Sequence, residues 1–261
     1  MAAASLTQKA YRHLQQQLSG GILLPGAVVS EKQVASQLGI SRTPVGQAIR
    51  QLVSEGLMEQ VPRYGTVVKE ITRQDIEELY ELREAMEPYA ARKAAESISR
   101  AQLDQLAILC QSTEQLANDM DEQGADALEG DALREFLSTD LAFHLYILRA
   151  AANQRMLKIV RDSRFVSRVF RTRRARHDRK MVHAACQCHR EIYEALCAHD
   201  GAASAERMLR HIVKSKEETL AFIDREKRNL SASEAFFSLD LSEELREQLA
   251  RLEVFSEGGT E

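Results

Sequence analysis

The sequence contains no tryptophan, and aromatic residues make up only 5% of its 261 residues. Proteins that hold single-stranded nucleic acid stack its bases on aromatic side chains, so the composition disfavours that function. No apolar run reaches the roughly 18 residues of a membrane-spanning helix. The N-terminal stretch MAAASLTQKAYRHL reaches polar residues too soon for a signal peptide. We therefore expect a cytoplasmic protein with no membrane partner.

Cysteine is also scarce, with four residues in the chain. In a long chain of cytoplasmic type, so few cysteines indicate reduced thiols rather than a disulfide framework. Cys186 and Cys188 lie next to His189 in the stretch CQCH. We interpret these two as small buried apolar residues, with thiolate ligation or redox sensing as the alternative.

The net charge of −4 argues against nucleic-acid binding by the chain as a whole. The charge is unevenly distributed, however. Residues 1–70 hold seven basic and four acidic residues, a net charge of +3, which leaves −7 for the rest of the chain. A mildly basic N-terminal part on an acidic remainder is compatible with DNA binding by the N-terminal part alone.

Helix-breaking residues are concentrated at the N-terminus. None of the four prolines follows Pro88, and seven of the twelve glycines lie at or before Gly65. Short elements with many turns are therefore expected first, followed by long helices. We predict a first domain over residues 1–70 (the head), a helical domain over 71–230 (the body) and a C-terminal extension over 231–261 of unassigned role. A last amphipathic segment is predicted at about 242–252.

The head shows the order of a winged helix-turn-helix. A first helix, which ends at Gly20 and Gly21, is predicted from an apolar stripe of four residues: Leu6, Ala10, Leu14 and Leu18. Ser30 caps a second helix that stops at Gly39, and Ser41 caps a third that stops at Gly56. LMEQV and TVV then form two strands joined by the turn PRYG. Three helices and a hairpin in this order are typical of that fold.

The body is predicted to be helical throughout. Thr72 with Asp75 and Ser99 with Gln102 form capping patterns at the starts of its first two helices. Apolar residues spaced three and four apart predict further helices at about 126–151, 154–175, 178–199 and 202–229. Six helices of this length form an all-α bundle, so the fold class is mainly α.

The head resembles the DNA-binding domain of GntR-family bacterial transcription regulators. The resemblance covers about residues 6–70 without a gap and rests on PG, SRTPV, LVSEGL and GTVV in this order. It implies that the third helix lies in the major groove of double-stranded operator DNA. The N-terminal residues of the third helix would face the bases. The preceding helix and the later part of the third helix would contact phosphates. The turn PRYG would form the wing tip. These DNA-binding candidates are Lys32, Arg42, Thr43, Gln47, Arg50, Arg63 and Tyr64.

Gly46 departs from the pattern of that family, which usually has an arginine there as a direct DNA contact. A helix-interior glycine costs roughly 1 kcal/mol relative to alanine. Because Gly46 lies four residues after Arg42, we expect both on the same DNA-facing side of the helix. We predict that the missing side chain alters base preference at one position or lets the backbone approach DNA closely.

The body resembles the ligand-binding FCD domain of the FadR-like subgroup. Its first helix, LYELREAMEPYAARKAA, matches that subgroup's opening helix. The more specific stretches are DLAFHLYILRAAANQRML, HREIYEAL and MLRHIVKS. The resemblance implies an all-α helical domain that binds a small organic-acid effector in a homodimeric regulator.

These stretches supply Asp140, His144, His189 and His211. Asp140 and His144 are four residues apart and share a helix face. His189 and His211 lie on two helices separated by Gly201, which would run antiparallel. Three imidazoles and one carboxylate suit a divalent ion, with Zn expected first and Ni or Mn as alternatives. For each histidine taken singly, an ordinary core or surface role is the alternative.

Arg83 allows two interpretations. It lies four residues before Glu87, which favours an intrahelical ion pair, but it is also a candidate for the effector's carboxylate. The basic run at 161–180, with nine Lys and Arg, is interpreted as a solvated face or a source of arginines for an anionic effector. A second nucleic-acid patch is the less favoured alternative, because the run lies outside the head. We predict a regulator rather than an enzyme. The alternatives are a metal-responsive regulator and, less favoured, a metal-dependent hydrolase, for which the sequence offers no nearby glutamate pattern as general base.

Overall fold

A computed structural model of the chain describes residues 5–70, 72–173 and 176–237. The amphipathic segment predicted at 242–252 lies outside these residues. The chain divides after Glu218 into two compact units, and every site discussed below lies in the first. Among the described residues, no helix combines the length and the apolar character needed to cross a membrane.

The head is a winged helix-turn-helix, as predicted. Its elements are α1 (Leu6–Ser19), α2 (Glu31–Leu38), α3 (Arg42–Ser54), β1 (Met58–Val61) and β2 (Gly65–Val68). The two strands pair antiparallel, with Met58 opposite Val68 and Val61 opposite Gly65. One core joins three of the four predicted stripe residues of α1 to α3 and the hairpin, and it includes Leu14, Leu18, Val45, Ile49, Leu52 and Met58. Leu6, the first residue of the predicted stripe, is exposed.

The two helices of the helix-turn-helix begin differently. The Ser30 hydroxyl accepts a hydrogen bond from the Gln33 backbone N–H and caps α2, and Gly39 ends that helix in the left-handed region with φ of 65°. Ser41 occupies the N-cap position of α3, but its side chain makes no capping hydrogen bond. The prediction that Ser41 caps α3 is therefore right about position and wrong about the hydrogen bond.

The body contains the six predicted helices. They are α4 (Arg73–Ala95), α5 (Arg100–Glu122), α6 (Gly130–Ala150), α7 (Gln154–Arg173), α8 (Arg179–Cys197) and α9 (Gly201–Phe237). Reciprocal capping boxes begin α4 at Thr72 and α5 at Ser99, as the spacing predicted. The last helix extends past its predicted end near residue 229.

The body is not helical throughout. β3 (Ala127–Glu129) pairs antiparallel with β4 (Arg176–Asp178), where the sequence predicted the ends of helices. Strands of three residues are too short for an alternating pattern to stand out against helical periodicity. The pair joins the segment before α6 to the segment before α8, the two helices that carry Asp140 and His189.

The junction of α8 and α9 is packed closely against the end of α4. A Cβ atom at Gly201 would lie 3.1 Å from the Arg92 carbonyl oxygen, so only glycine fits there without displacement. One ring nitrogen of His199, Nδ1, lies 2.8 Å from the Ala95 carbonyl oxygen. This packing fixes where α9 starts, and with it the position of His211 ten residues later.

Candidate metal centre and DNA-facing residues

Four side chains from three helices converge in the body, and we call them the metal cluster: Asp140, His144, His189 and His211. Asp140 and His144 come from α6, His189 from α8 and His211 from α9. All four are buried, and one ligand atom from each lies within 4.8 Å of the others. The structure thus brings together the whole set that the sequence predicted.

The spacing of the ligand atoms fits one divalent ion. Nε2 of His144 lies 3.2 Å from Nε2 of His211. The Asp140 carboxylate oxygen Oδ1 lies 3.4 Å from Nε2 of His189 and 3.9 Å from Nε2 of His144. Zinc bonds to nitrogen and oxygen of about 2.0–2.1 Å place tetrahedral ligand atoms roughly 3.3 Å apart. The cluster therefore has the dimensions of a metal site.

His189 supplies a second test of fit. Within the described part of the chain, neither of its buried ring nitrogens has a hydrogen-bond partner. An unpaired buried polar atom costs about 1–3 kcal/mol, and a metal bond would remove that cost for Nε2, the ring nitrogen that faces Asp140. The ring is also held in place, because it stacks on Phe143 with ring centres 4.2 Å apart.

Glu87 of α4 organises the surroundings of the cluster. Its Oε2 lies 2.8 Å from Nδ1 of His144, which leaves Nε2 of that ring directed at the other ligands. Its Oε1 accepts hydrogen bonds from Nε of Arg83 at 2.9 Å and Nε of Arg164 at 2.8 Å. Arg164 adds a second bond, from Nη2 to Oε2 at 2.6 Å. A carboxylate behind a ligating histidine fixes its tautomer and orientation.

The electrostatics keep the Glu87 carboxylate charged and the imidazoles of His144 and His211 neutral. Burial alone would raise the pKa of Glu87, but Arg164 and Arg83 outweigh it and hold that pKa well below 4.5. Burial, with Arg164 nearby, lowers the pKa of His144 to about 3. Burial and the neighbouring His189 also lower the pKa of His211 well below 6.5. Neutral imidazoles offer the lone pairs that a metal ion needs.

Arg83 does not face an open cavity. Its side chain is 2% exposed, in the ion pair with Glu87, and its guanidinium lies 4.5 Å from the centre of the Tyr80 ring. The structure therefore has the intrahelical pair, which was the first of the two interpretations. Sequence reasoning missed the roles of Glu87 and Arg164. Arg164 was one of nine basic residues in its run, and nothing in the run's spacing distinguished it.

A recess lies beside the metal cluster, and Asp140 and His211 form part of its wall. Lys214 adds a positive charge to the lining. The remaining lining residues come from α6, β4, α8 and α9: Phe136, His177, Met181, Ala184, Ala185, Cys188, Ser215 and Glu218. The recess is small, so only the end group of a ligand would fit in it, next to a bound ion.

The cysteines of the CQCH stretch fit the interpretation as buried thiols. Cys186 donates from Sγ to the Thr113 carbonyl oxygen at 3.4 Å. Burial raises the pKa of Cys186 to about 11, and it also raises the pKa of Cys188. A thiol is reactive only as the thiolate, so these two are poor redox sensors.

The predicted DNA-facing residues are all exposed. On α3 these are Arg42, Thr43, Gln47 and Arg50, on α2 Lys32, and at the turn of the hairpin Arg63 and Tyr64. The Tyr64 side chain is 74% exposed, and Arg63 has a positive φ of 70° that makes the turn tight. Gln47 accepts a hydrogen bond from the Thr7 hydroxyl of α1 at 2.7 Å.

The burial of Gly46 differs from the prediction. Gly46 is buried rather than on the open face, since the Glu31 side chain of α2 lies against it. The sequence placed Gly46 and Arg42 on one helix face, which the spacing requires. Only the packing of α2 on α3 decides that this part of the face is covered.

Comparison with known proteins follows the same division of the chain. Residues 6–68 match the family described as bacterial regulatory proteins, gntR family, and residues 78–214 match the FCD domain. The transcriptional repressor RspR of Escherichia coli is 27% identical over 213 residues, which are 81% of this chain and 88% of RspR. An HTH-type transcriptional regulator of Agrobacterium vitis is 30% identical over 152 residues, 58% of this chain and 84% of that protein.

A solved structure shows the same fold. The Escherichia coli protein McbR/YncC has a TM-score of 0.71 and 22% identity, and the match covers 85% of this chain and 100% of that one. The families and relatives found are transcription regulators, not enzymes. The chain therefore belongs to the GntR family of bacterial regulatory proteins and joins that family's DNA-binding domain to an FCD domain.

Proposed function

We propose that this regulator binds operator DNA as a homodimer and that a small organic acid, held at a metal ion in the body, changes its affinity for DNA. The buried metal cluster, with ligand atoms at metal-site spacing, is the observation that carries the proposal. We keep 1–70 and 71–230 as the domains of the two activities, and 231–261 as an extension without an assigned role.

The DNA-binding part of the proposal rests on the exposed face of the head. Arg42 and Gln47 stand near the start of α3, where a recognition helix faces base edges. Arginine pairs with guanine, and glutamine with adenine. Lys32, Arg50 and Arg63 are free to meet phosphates. A two-fold dimer reads two related half-sites, so the operator should be palindromic.

The metal part rests on the four ligands of the metal cluster. Asp140, His144, His189 and His211 would hold the ion, with Zn as the first expectation and Ni or Mn as alternatives. When bound, the ion supplies positive charge that polarises and holds an oxygen ligand. Glu87 keeps His144 in the ligating orientation.

Charge balance favours an anionic effector. Without a metal, the buried side chains Arg83 and Arg164 are matched by the carboxylates of Glu87 and Asp140. A divalent ion adds two uncompensated positive charges to this buried site, which is unfavourable in a medium of low polarity. A carboxylate ligand in the adjoining recess would compensate them, and the recess itself carries one further charge of each sign, on Lys214 and Glu218.

Helices α4 and α7 connect the metal cluster to the head. Arg164 of α7 holds Glu87, and the neighbouring Ser163 donates from its hydroxyl to the Leu79 carbonyl oxygen at 3.4 Å. The Leu79 side chain packs against the core of the head. A shift of Arg164 on effector binding would therefore be transmitted through these contacts to the head.

One experiment separates this proposal from a metal-responsive regulator. Operator DNA is first selected from random sequence, and its affinity is measured for metal-free protein, for zinc-loaded protein, and for zinc-loaded protein with each of a panel of carboxylic and sugar acids. We expect affinity to change only when an acid is added. A change on adding zinc alone would make the ion the effector, and an asymmetric selected site would contradict the dimer.

Metal content provides the matched control. The purified protein should contain near one divalent ion per chain, and His189→Ala should lower that content. His183 lies on the same helix but is half-exposed and paired with Asp121, so His183→Ala should leave the metal content unchanged. Equal metal content in the two variants would remove His189 from the site.

A further inference from the structure

Gly46 lies under a carboxylate. A Cβ atom at this position would come 2.8 Å from Oε1 of Glu31, closer than real Cβ atoms approach a neighbour, and 3.5 Å from Nη1 of Arg50. Glycine is unfavourable inside a helix, so its presence here needs a compensating contact. The carboxylate of Glu31 fills the space that a side chain at position 46 would take.

The same carboxylate reaches a predicted base-reading residue. Oε2 of Glu31 lies 3.5 Å from Nη2 of Arg42. The Arg42 side chain is 69% exposed and that of Glu31 only 38%, so Glu31 is the anchored partner and Arg42 the one that projects outward. Arg42 thus pairs with the acidic group at the start of α2, and the Arg50 guanidinium lies beside Gly46.

An acidic group among DNA-facing cations has two opposing effects. It repels phosphates and so weakens binding to any DNA sequence. It also restrains the guanidinium, whose planar fork offers five N–H donors, so that one edge meets Glu31 while another is presented to the groove. A restrained arginine pairs with a base edge at a lower ordering cost than a freely rotating one.

We infer that Glu31 is a positioning residue for sequence reading: it occupies the space over Gly46 and directs Arg42 at a base edge. This inference rests on the proposed docking of α3 in the major groove. Glu31 and a side chain at position 46 are then alternatives, since they compete for one space. Operator preference is set by the pair of positions 31 and 46 and not by position 46 alone.

The test compares three variants on the selected operator and on operators with single base-pair changes, at several salt concentrations. Glu31→Gln should tighten binding to random DNA and reduce discrimination at the base pair read by Arg42 by roughly fivefold or more. Gly46→Ala, which displaces the carboxylate without removing it, should lose the same discrimination. The double variant should lose no more than either single variant.

Glu55→Gln is the charge-matched control. Glu55 lies at the other end of α3, where it accepts hydrogen bonds from Tyr11 and Gln51. This variant removes the same charge from the head and should leave base preference unchanged. If Arg42→Ala abolishes preference at a base pair while Glu31→Gln leaves that preference intact, Glu31 does not position Arg42. If Arg42→Ala changes no preference at all, the docking of α3 itself is wrong.

Discussion

The metal cluster and the DNA-facing surface of the head differ in how far neighbouring residues fix their geometry. Every member of the cluster is buried, and Glu87 and Phe143 hold two of its rings. On α3, by contrast, Arg42, Gln47 and Arg50 are exposed, and each has few restraining partners. In the proposed function, the buried cluster is preorganised for a small ion, whereas the exposed side chains would be ordered by contact with DNA.

Two ion pairs on α4 show the same contrast at a smaller scale. Arg83–Glu87 and Arg73–Glu77 have the same residue types at the same spacing. The first pair is 1–2% exposed, and the second is 33–39% exposed. Burial makes one pair part of a network that reaches the metal cluster and leaves the other at the surface, so sequence spacing alone does not reveal the importance of an ion pair.

The largest expected effect distinguishes these two pairs. Glu87→Gln leaves the buried Arg83 and Arg164 without their carboxylate, and breaking a buried pair in this way costs about 3–5 kcal/mol. Glu77→Gln should cost about 0–1 kcal/mol, as is usual for exposed pairs. The free energy of unfolding of the metal-free variants, measured with denaturant, checks both values. Equal losses would mean that burial does not distinguish the pairs.

The next effect concerns the exposed site. Arg42→Ala should weaken discrimination between operator and mismatched DNA by about 1–3 kcal/mol, the value of one bidentate arginine–guanine contact. Stability should hardly change, because Arg42 is exposed. Binding titrations with matched and mismatched DNA, together with an unfolding curve, measure the two quantities. A large loss of stability with unchanged discrimination would contradict the expectation that Arg42 acts in DNA recognition and not in stabilising the fold.

The pH dependence of the metal-free protein tests the buried site. His144 has a pKa of about 3 in the folded chain, because of burial and Arg164, against 6.5 for an ordinary histidine. Below about pH 6.5 the unfolded chain therefore takes up a proton that the folded chain excludes, and stability falls as the pH falls. The slope approaches about 1.4 kcal/mol per pH unit for one such group.

Unfolding free energies measured with a chelator between about pH 7 and pH 5 check this slope. His144→Gln, which cannot take up that proton, should reduce the slope without abolishing it, because the pKa of His211 is also lowered. His183→Gln, which changes a half-exposed histidine outside the metal cluster, is the control. A slope that is the same in all three proteins would show that His144 does not carry the effect.

The smallest effect compares two helix starts. Thr72 caps α4 through a capping box, so Thr72→Ala should cost about 1 kcal/mol. Ser41 makes no capping hydrogen bond at the start of α3, so Ser41→Ala should cost only about a few tenths of that. The free energies of unfolding of the two variants, each compared with that of the unchanged protein, test this difference. Equal costs would show that Ser41 caps α3 in solution.

Local signals in the sequence determined most of the fold. Glycine stops, capping residues and helical apolar spacing predicted the three helices and hairpin of the head and the six helices of the body. The spacing of Asp140 and His144 put them on one helix face, and the resemblance to a family supplied His189 and His211. These signals act over a few residues, which is why a sequence displays them.

Only the tertiary structure decided what packs against what. The β3–β4 pair joins residues about fifty apart, Arg164 reaches Glu87 from another helix, and Glu31 covers Gly46 from α2. Each of these contacts depends on the relative placement of two elements, which no local pattern encodes. The chain's own sequence thus determined which residues are chemically able to bind a metal or DNA, and packing determined which of them are buried, oriented and paired.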